Sequence, residues 1–368
     1  MKLTLSSSTC LVFSLLVCST LIAQNPVVTF VSSKDNTLYE HASGSLSNGA
    51  GTRMFCGRTD NSKLRRAVFA FDVASNVPPC STIVSVSVQL RCVQSNSGSE
   101  PATLHTILGD WGEAGSAPSG AGGGGGNGGA AQPSDATWIH RFFPATMWAS
   151  AGGDFAAGAS ASFSADQSGY YTVASTAQLE ADVQGWLDNP SSNFGWLLKG
   201  NESVDLTAKA WATKEDSNAA YRPALTVTYT PAASASVVVT GTGCIGSSGV
   251  PLSFSAIGLP TIGVPGFGLS ISGGPPLGMA QIYLAMASGP PVPLGSGCYL
   301  YLDIASALAF ISSGVSPLTL PLNSSGSFTL PFPVLDCGFA GFTTAAQVLM
   351  FDTTGLITSE ALTLNFGM

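Results

Sequence analysis

The sequence has 368 residues, which is enough for two domains of ordinary size. Charged residues are only 9% of the chain, while Gly, Ser, Thr and Ala are abundant, so the composition favours an extracellular all-β protein over a helix-rich cytoplasmic enzyme. The formal net charge of -8 argues against nucleic acid and anionic membrane surfaces as partners, because phosphate binding needs clustered Lys and Arg.

The first 23 residues have the pattern of an export signal. Lys2 supplies the positive charge, residues 11–22 form an apolar segment, and Ala23 is a small residue before the expected cleavage point. We therefore predict a signal peptide at residues 1–23 and a protein that is secreted or held at the cell surface. No later stretch has eighteen uninterrupted apolar residues, so we expect no transmembrane segment in the mature chain.

Residues 25–231 predict a first antiparallel β-sandwich, jelly-roll-like in its many short strands. The expected strands are at residues 27–32, 65–73, 81–93, 170–173, 195–199, 206–211 and 224–230. Residues 81–93 alternate most clearly, with Val84, Val86, Val88, Leu90 and Cys92 on one side and polar residues on the other. Such alternation predicts a sheet with one face in the core and one face in water.

One short helix is expected in this domain, at residues 177–187. Leu179, Val183, Trp186 and Leu187 recur at three- and four-residue steps, and Asp-Asn-Pro at residues 188–190 ends the pattern. Residues 232–236 then predict a linker.

A long insertion at residues 104–155 interrupts the strand pattern of the first domain. It contains three of the six tryptophans, several acids and a glycine run at residues 122–129, which we expect to be mobile. A loop of this length in a compact domain is usually functional or disordered.

Residues 237–368 predict a second, smaller β-sandwich. This half has no Lys, Arg, His or Trp and only four acids. Alternating segments predict strands at residues 251–256, 281–287, 297–304, 327–334, 346–351 and 361–366.

Six cysteines follow the predicted signal peptide, three in each half of the chain. An export signal implies an oxidising compartment, which favours disulfides, but three per half leaves one odd thiol in each unless the halves are crosslinked. Cys80 and Cys92 flank one predicted strand and would stand roughly 35 Å apart at about 3.3 Å per residue. Cys56 with Cys92 is then the preferred pair in the first half, and buried free thiols are the alternative.

Six segments of the first domain resemble DNRLRE domains, in the same order along residues 25–231. They are residues 34–40 (KDNTLYE), 48–51 (NGAG), 65–72 (RRAVFAFD), 182–186 (DVQGW), 193–200 (NFGWLLKG) and 222–229 (RPALTVTY). The literal DNRLRE string is absent, and Thr213-Lys214-Glu215 stands where relatives tend to have Ser-Arg-Glu. The second domain is similar to a β module appended to exported planctomycete proteins, a likeness that carries no function.

DNRLRE domains are similar to the family 96 carbohydrate-binding modules, β-sandwich domains of exported bacterial proteins, some of which bind alginate. The resemblance implies a non-catalytic module that binds a polysaccharide or a cell-surface glycan. Two alternatives remain: a structural or adhesive extracellular protein without a small ligand, and an enzyme that acts on carbohydrate. No serine-hydrolase elbow and no zinc-protease helix motif is present in the sequence, so we predict that the protein is not an enzyme.

The insertion contains the predicted sugar site. Sugar rings stack on exposed aromatic rings beside polar partners, and Trp111, Trp138 and Trp148 lie near Glu113 in sequence, with Arg65 as a cation for acidic sugars. The alternatives are that the tryptophans anchor the insertion in the core, and that Arg65 is a strand-edge charge that deters edge pairing.

The same insertion contains the predicted metal ligands. Calcium takes six to eight oxygen ligands, and Asp110, Glu113, Asp135 and Asp154 could supply carboxylates, with Asp35 and Glu40 as a second, weaker pair. Calcium is the only cofactor that the sequence suggests. Solvated loop acids are the alternative.

Overall fold

The computed structural model describes residues 24–118, 125–334 and 336–368. It confirms an all-β fold made of several antiparallel sheets. The predicted signal peptide and residues 122–124 of the glycine run lie outside the described residues. No helix within the described ranges is long and apolar enough to cross a membrane.

Fifteen strands of the described ranges precede the predicted linker. They are β1 (Val27–Val31), β2 (Lys34–Tyr39), β3 (Leu46–Ser47), β4 (Arg53–Arg58), β5 (Leu64–Ala70), β6 (Thr82–Ser95), β7 (Glu100–Thr106), β8 (Gly129–Ala130), β9 (His140–Phe142), β10 (Thr146–Met147), β11 (Ala161–Ala165), β12 (Gly169–Val173), β13 (Trp196–Lys199), β14 (Lys209–Ala212) and β15 (Ala224–Thr230). Helix α1 spans Ala177–Asp188, and short 3-10 turns span Pro190–Ser192 and Ala219–Tyr221.

Eleven of these strands form one sheet around the first core. The order is β1-β15-β6-β14-β4-β5-β13-β7-β11, with β12 also on β6 and β2 also on β5. The core contains Phe69, Phe71, Trp196 and Trp211 with the inward residues of β6. Each predicted strand of this half has a counterpart in the structure.

The alternation of β6 fails at one position. Val86, Val88, Leu90 and Cys92 are buried as predicted, but Val84 is exposed and Ile83 lies in the core instead. The register of the β15–β6 pairing shifts between Thr228 and Tyr229. At this end of β6 the alternation therefore reverses, so Ile83 faces the core and Val84 faces solvent.

Strand β5 departs from the prediction of one dry and one wet face. Ala67 and Phe69 face the main core, but Val68 and Ala70 are also buried, in a second cluster that includes Trp111. This part of the sheet is covered on both sides because the insertion packs on its outer face.

Helix α1 confirms its prediction. Thr176 caps its N-terminus by accepting a hydrogen bond from the N–H of Leu179, and Asn189 ends it. Its apolar face places Trp186 with a ring-centroid distance of 4.5 Å from Trp196 in the main core.

In the second half, the residues that the structure describes form ten strands and a second helix. They are β16 (Ser236–Thr240), β17 (Ser253–Ile257), β18 (Gly268–Ser272), β19 (Met279–Ala285), β20 (Ser288–Gly295), β21 (Cys298–Leu302), α2 (Ile304–Ser312), β22 (Leu318–Pro321), β23 (Phe328–Pro331), β24 (Thr343–Asp352) and β25 (Gly355–Asn365), with a 3-10 turn at Cys337–Phe339. The sheets are β16-β25-β24-β19-β22, β17-β18-β23 and β20-β21. No sheet within the described ranges combines strands from both halves.

Helix α2 was not expected, since the sequence predicted a single helix. Asp303 caps it by accepting a hydrogen bond from the N–H of Ser306, but almost every residue after the cap is apolar. Within this helix only Ala307 is buried. Because apolar residues occur all around the helix, the sequence has no polar face whose three- and four-residue spacing could indicate a helix. Ile304, Leu308 and Ile311 remain exposed.

The disulfides differ from the predicted pair. Cys56 and Cys92 are buried free thiols, so that prediction is wrong and the alternative holds. One disulfide joins Cys244 to Cys298 within the second half. The other joins Cys80 to Cys337 across 257 positions of sequence and crosslinks the two halves.

These pairings predict a specific peptide map. Non-reducing digestion after alkylation in denaturant should yield modified Cys56 and Cys92 peptides, and the linked peptides Cys80–Cys337 and Cys244–Cys298. In the native protein Cys56 should resist alkylation at pH 8, because burial raises the pKa of its thiol to about 12. A linked Cys56–Cys92 peptide would contradict the structure.

Candidate functional site

The tryptophans of the insertion lie inside the protein. The exposed fraction is 1% for Trp111, 9% for Trp138 and 5% for Trp148. The indole N–H of Trp111 donates to the carbonyl of Phe194 at 2.8 Å, and that of Trp148 to the carbonyl of Thr137 at 2.9 Å. Buried rings offer a sugar no surface to stack on, which corrects the predicted role. The three tryptophans anchor the insertion to the sheet.

Arg66 fastens the insertion from the sheet side. Its Nε and Nη2 donate to the two carboxylate oxygens of Glu202 at 2.7 and 3.0 Å, and its Nη1 donates to the carbonyl of Gly152 at 2.8 Å. The guanidinium also lies 5.0 Å from the ring centroid of Trp138. Gly152 has a φ of 90°, and a Cβ there would come 2.5 Å from Nη1, so this close approach needs glycine.

The predicted role of Arg65 also needs correction. Its side chain is buried, its Nε donates to the carbonyl of Gly126 at 3.2 Å, and its guanidinium lies 4.9 Å from the ring centroid of Tyr39. The hydroxyl of Tyr39 donates to the carbonyl of Gly125. Arg65 and Tyr39 therefore bind the carbonyls of Gly126 and Gly125, at the described end of the glycine run, where Gly125 and Gly129 are buried.

The four predicted calcium ligands do not come together. Asp110 pairs with Lys34 at 2.8 Å. Asp135 and Asp154 accept hydrogen bonds from backbone N–H groups of their own loops at 2.7 to 2.9 Å. Only Glu113 joins other acids, and it does so with residues outside the insertion.

Asp35, Glu113 and Glu215 form a carboxylate cluster. One carboxylate oxygen of each lies within 4.8 Å of the other two, the one such group of metal-ligating side chains in the described ranges. Asp35 is on β2, Glu113 is in the insertion, and Glu215 follows β14. The Lys214 ammonium lies 3.1 Å from Glu113 Oε2 and contacts Glu215 Oε1.

Hydrogen bonds satisfy only part of this cluster. Asp35 Oδ2 accepts from the N–H of Lys214 at 2.8 Å and from the hydroxyl of Ser32 at 3.3 Å. The N–H of Asp35 donates to Glu113 Oε1 at 2.7 Å. Asp35 Oδ1 and Glu215 Oε2 are buried without a hydrogen-bond partner.

The electrostatics of the cluster reflect this crowding. Burial, and then the charge of Glu215, raise the pKa of Asp35 well above its usual range, and burial raises the pKa of Glu113. Burial lowers the pKa of Lys214, but its hydrogen bonds to Glu215 and Glu113 outweigh that effect and leave the pKa raised. One buried and two partly buried carboxylates beside one ammonium are costly to keep ionised.

A second site lies on the open face of the first sheet, where Arg91 lies against two tyrosine rings that also contact each other, with their centroids 6.0 Å apart. Its guanidinium carbon is 5.1 Å from the ring centroid of Tyr170 and 5.0 Å from that of Tyr221. Tyr170 lies opposite Arg91 in the β12–β6 pairing and is 49% exposed. Among the described residues Arg91 has neither an ion pair nor a hydrogen-bond acceptor, and its Nε is buried without a partner.

Cross-strand pairs of polar side chains continue along the sheet from this tyrosine–arginine site. Gln89 pairs with Thr172, and Ser87 pairs with Thr226, so these side chains share the face of Arg91. Their hydroxyl and amide groups can donate and accept hydrogen bonds. The face thus combines an exposed aromatic ring, an unpaired cation and neutral polar groups.

The sequence contains a partial signal for each site. Alternation places Arg91 on the polar face of β6, but not the pairing with β12 that brings Tyr170 beside it. For the carboxylate cluster, the sequence offered Asp35 with Glu40 and Glu113 with the acids of the insertion, but it did not single out Glu215 or show that Asp35, Glu113 and Glu215 meet.

Comparisons with known proteins add little. No family model matches the chain, and no curated protein matches it. Among solved structures, the nodavirus of Macrobrachium rosenbergii aligns over 98% of this chain and 96% of its own, at 7% identity and a TM-score of 0.18. A glycoside hydrolase domain of Endo-D from Streptococcus pneumoniae aligns over 85% of this chain and 32% of its own, at 9% identity and a TM-score of 0.13. Scores this low support no argument about function.

Because the ring of Trp111 is buried, Trp111→Ala should strongly destabilise the folded protein. Removing this ring should lower the free energy of unfolding by about 3–5 kcal/mol. Tyr170→Ala, which truncates a half-exposed ring, should cost less than about 1 kcal/mol. Urea unfolding followed by circular dichroism measures both, and equal costs for the two variants would contradict the assignment of Trp111 to the core.

Proposed function

We propose that this protein is a non-catalytic extracellular module that binds acidic polysaccharides through the open sheet face around Arg91. The observation that carries the proposal is the Arg91 guanidinium, which lies against the rings of Tyr170 and Tyr221 and has no acidic partner among the described residues. A guanidinium matches the geometry of a carboxylate and can bind it with two parallel hydrogen bonds. A uronate provides such a carboxylate.

The neighbouring groups suit the rest of a sugar chain. The exposed ring of Tyr170 can stack on the apolar face of a pyranose. The side chains of Gln89 and Ser87, and of the threonines that pair with them, lie along the same face and can bind ring hydroxyls. An open, flat face of this kind can bind the middle of a long polymer, whereas a small ligand usually needs an enclosed pocket.

Location and family likeness support the same proposal. The residues that resemble DNRLRE domains and family 96 carbohydrate-binding modules belong to the half that contains Arg91. Two disulfides are compatible with an oxidising, extracellular setting.

A second candidate function is adhesion through the C-terminal half. Most of the exposed large apolar side chains among the described residues lie after position 236, and Leu308, Val315 and Phe351 are more than half exposed. That half has no Lys or Arg. Such a surface favours contact with another protein over contact with a charged glycan.

Affinity electrophoresis in native gels tests the sugar proposal. Polygalacturonate in the gel should retard the wild-type protein, whereas a neutral glucan should not. Retardation by this polyanion could not come from attraction to the overall charge of the protein, because the protein itself has a net charge of -8. Arg91→Gln should weaken binding by roughly tenfold or more, the value of one charge-assisted hydrogen bond of about 1.5–3 kcal/mol.

Arg53→Gln is the matched control, because it removes the same charge from β4 of the same domain, outside the tyrosine–arginine site. It should retain wild-type retardation. If both arginine variants lose retardation equally, binding is a general charge effect and the assignment to Arg91 fails. If neither polymer retards the wild type, the polysaccharide proposal itself fails.

A further inference from the structure

The carboxylate cluster combines an excess of negative charge with unused ligand atoms. Asp35, Glu113 and Glu215 bring three carboxylates together, and Lys214 supplies one positive charge. Asp35 is fully buried, yet its Oδ1 has no hydrogen-bond partner, and Glu215 Oε2 is also buried and unpartnered. Native proteins rarely leave buried polar atoms unpaired, because such an atom loses its hydrogen bonds to water without gaining a partner in the protein.

Neighbouring side chains do not remedy this deficit. Lys214 already contacts Glu113 and Glu215, and its backbone N–H is committed to Asp35 Oδ2. Lys34, the next cation along β2, pairs with Asp110 and with the carbonyl of Trp111. Among the described residues, Asp35 Oδ1 and Glu215 Oε2 therefore have neither a hydrogen-bond donor nor a cation of their own.

We propose that Asp35, Glu113 and Glu215 bind a divalent calcium ion that the two unpartnered oxygens contact directly. All the ligand atoms are oxygens, and three are carboxylate groups, which is the hard ligand set that calcium prefers. Water molecules complete the six to eight ligands. Calcium offsets the excess negative charge and leaves the hydrogen bonds of Lys214 intact.

The ion connects three segments that are distant in sequence. Asp35 belongs to β2 at the start of the domain, Glu113 to the insertion, and Glu215 to the loop after β14. Binding stabilises the folded state, because the unfolded chain does not hold these carboxylates together. The calcium site shares no residue with the tyrosine–arginine site, so either can exist without the other.

Thermal melting tests the proposal on the full chain. EDTA-treated protein is melted at pH 7 and constant ionic strength with increasing CaCl2, and separately with MgCl2. The Tm should rise with CaCl2 along a saturating curve and return on addition of excess EDTA. Asp35→Asn and Glu215→Gln should each weaken the apparent calcium affinity by more than about tenfold.

Asp110→Asn is the matched control, because it removes one carboxylate of the insertion that lies outside the cluster. It should retain the wild-type response to CaCl2. Far-UV circular dichroism in EDTA verifies that each variant is folded, and where Asp35→Asn does not fold, Glu215→Gln decides the test.

Three results would overturn the proposal. If the Tm of the wild type does not respond to CaCl2, the carboxylates share a proton instead of a cation, and Asp35→Asn in EDTA should then melt no lower than the wild type. An equal response of Glu215→Gln and the wild type would place the ion elsewhere. Stabilisation by MgCl2 alone would exclude calcium as the ligand.

Discussion

The burial of both faces of β5 is the constraint on which the first half of the chain depends. A sheet of this class usually leaves one face to water, but here Val68 and Ala70 on the outer face are as buried as Phe69 on the inner one. The outer face needs a cover, and the insertion provides it with a layer of tryptophans. The insertion is for that reason part of the folding unit. Arg66, which pairs with Glu202 and lies over Trp138, joins the cover to the sheet.

Local patterns predicted the elements well because strand and helix periods are properties of neighbouring residues. The predicted strand at residues 224–230 coincides with β15, and α1 extends its prediction by one residue. Helix α2 escaped prediction because its apolar residues surround the axis and leave no period to detect. The small apolar residues Val68 and Ala70 in β5 were the available signal that its second face is covered.

The candidate sites could not be predicted because they depend on pairings between distant segments. Alternation gave Arg91 its face, but only the registration of β12 on β6 brings Tyr170 to it. Asp35 and Glu113 are 78 positions apart and meet through one backbone hydrogen bond. The cysteines show the same limit, because the long-range partner of Cys80 leaves no trace in local sequence.

The Cys80–Cys337 disulfide has a mechanical consequence. It spans 257 positions, including the junction between the two sets of sheets. A force applied to the two ends of the chain would pass through this covalent link, so only the residues before Cys80 and after Cys337 could extend before the disulfide breaks. A single proteolytic cut between these cysteines would likewise leave the fragments joined. In an environment with shear and proteases, the first half would stay attached to whatever the second half contacts.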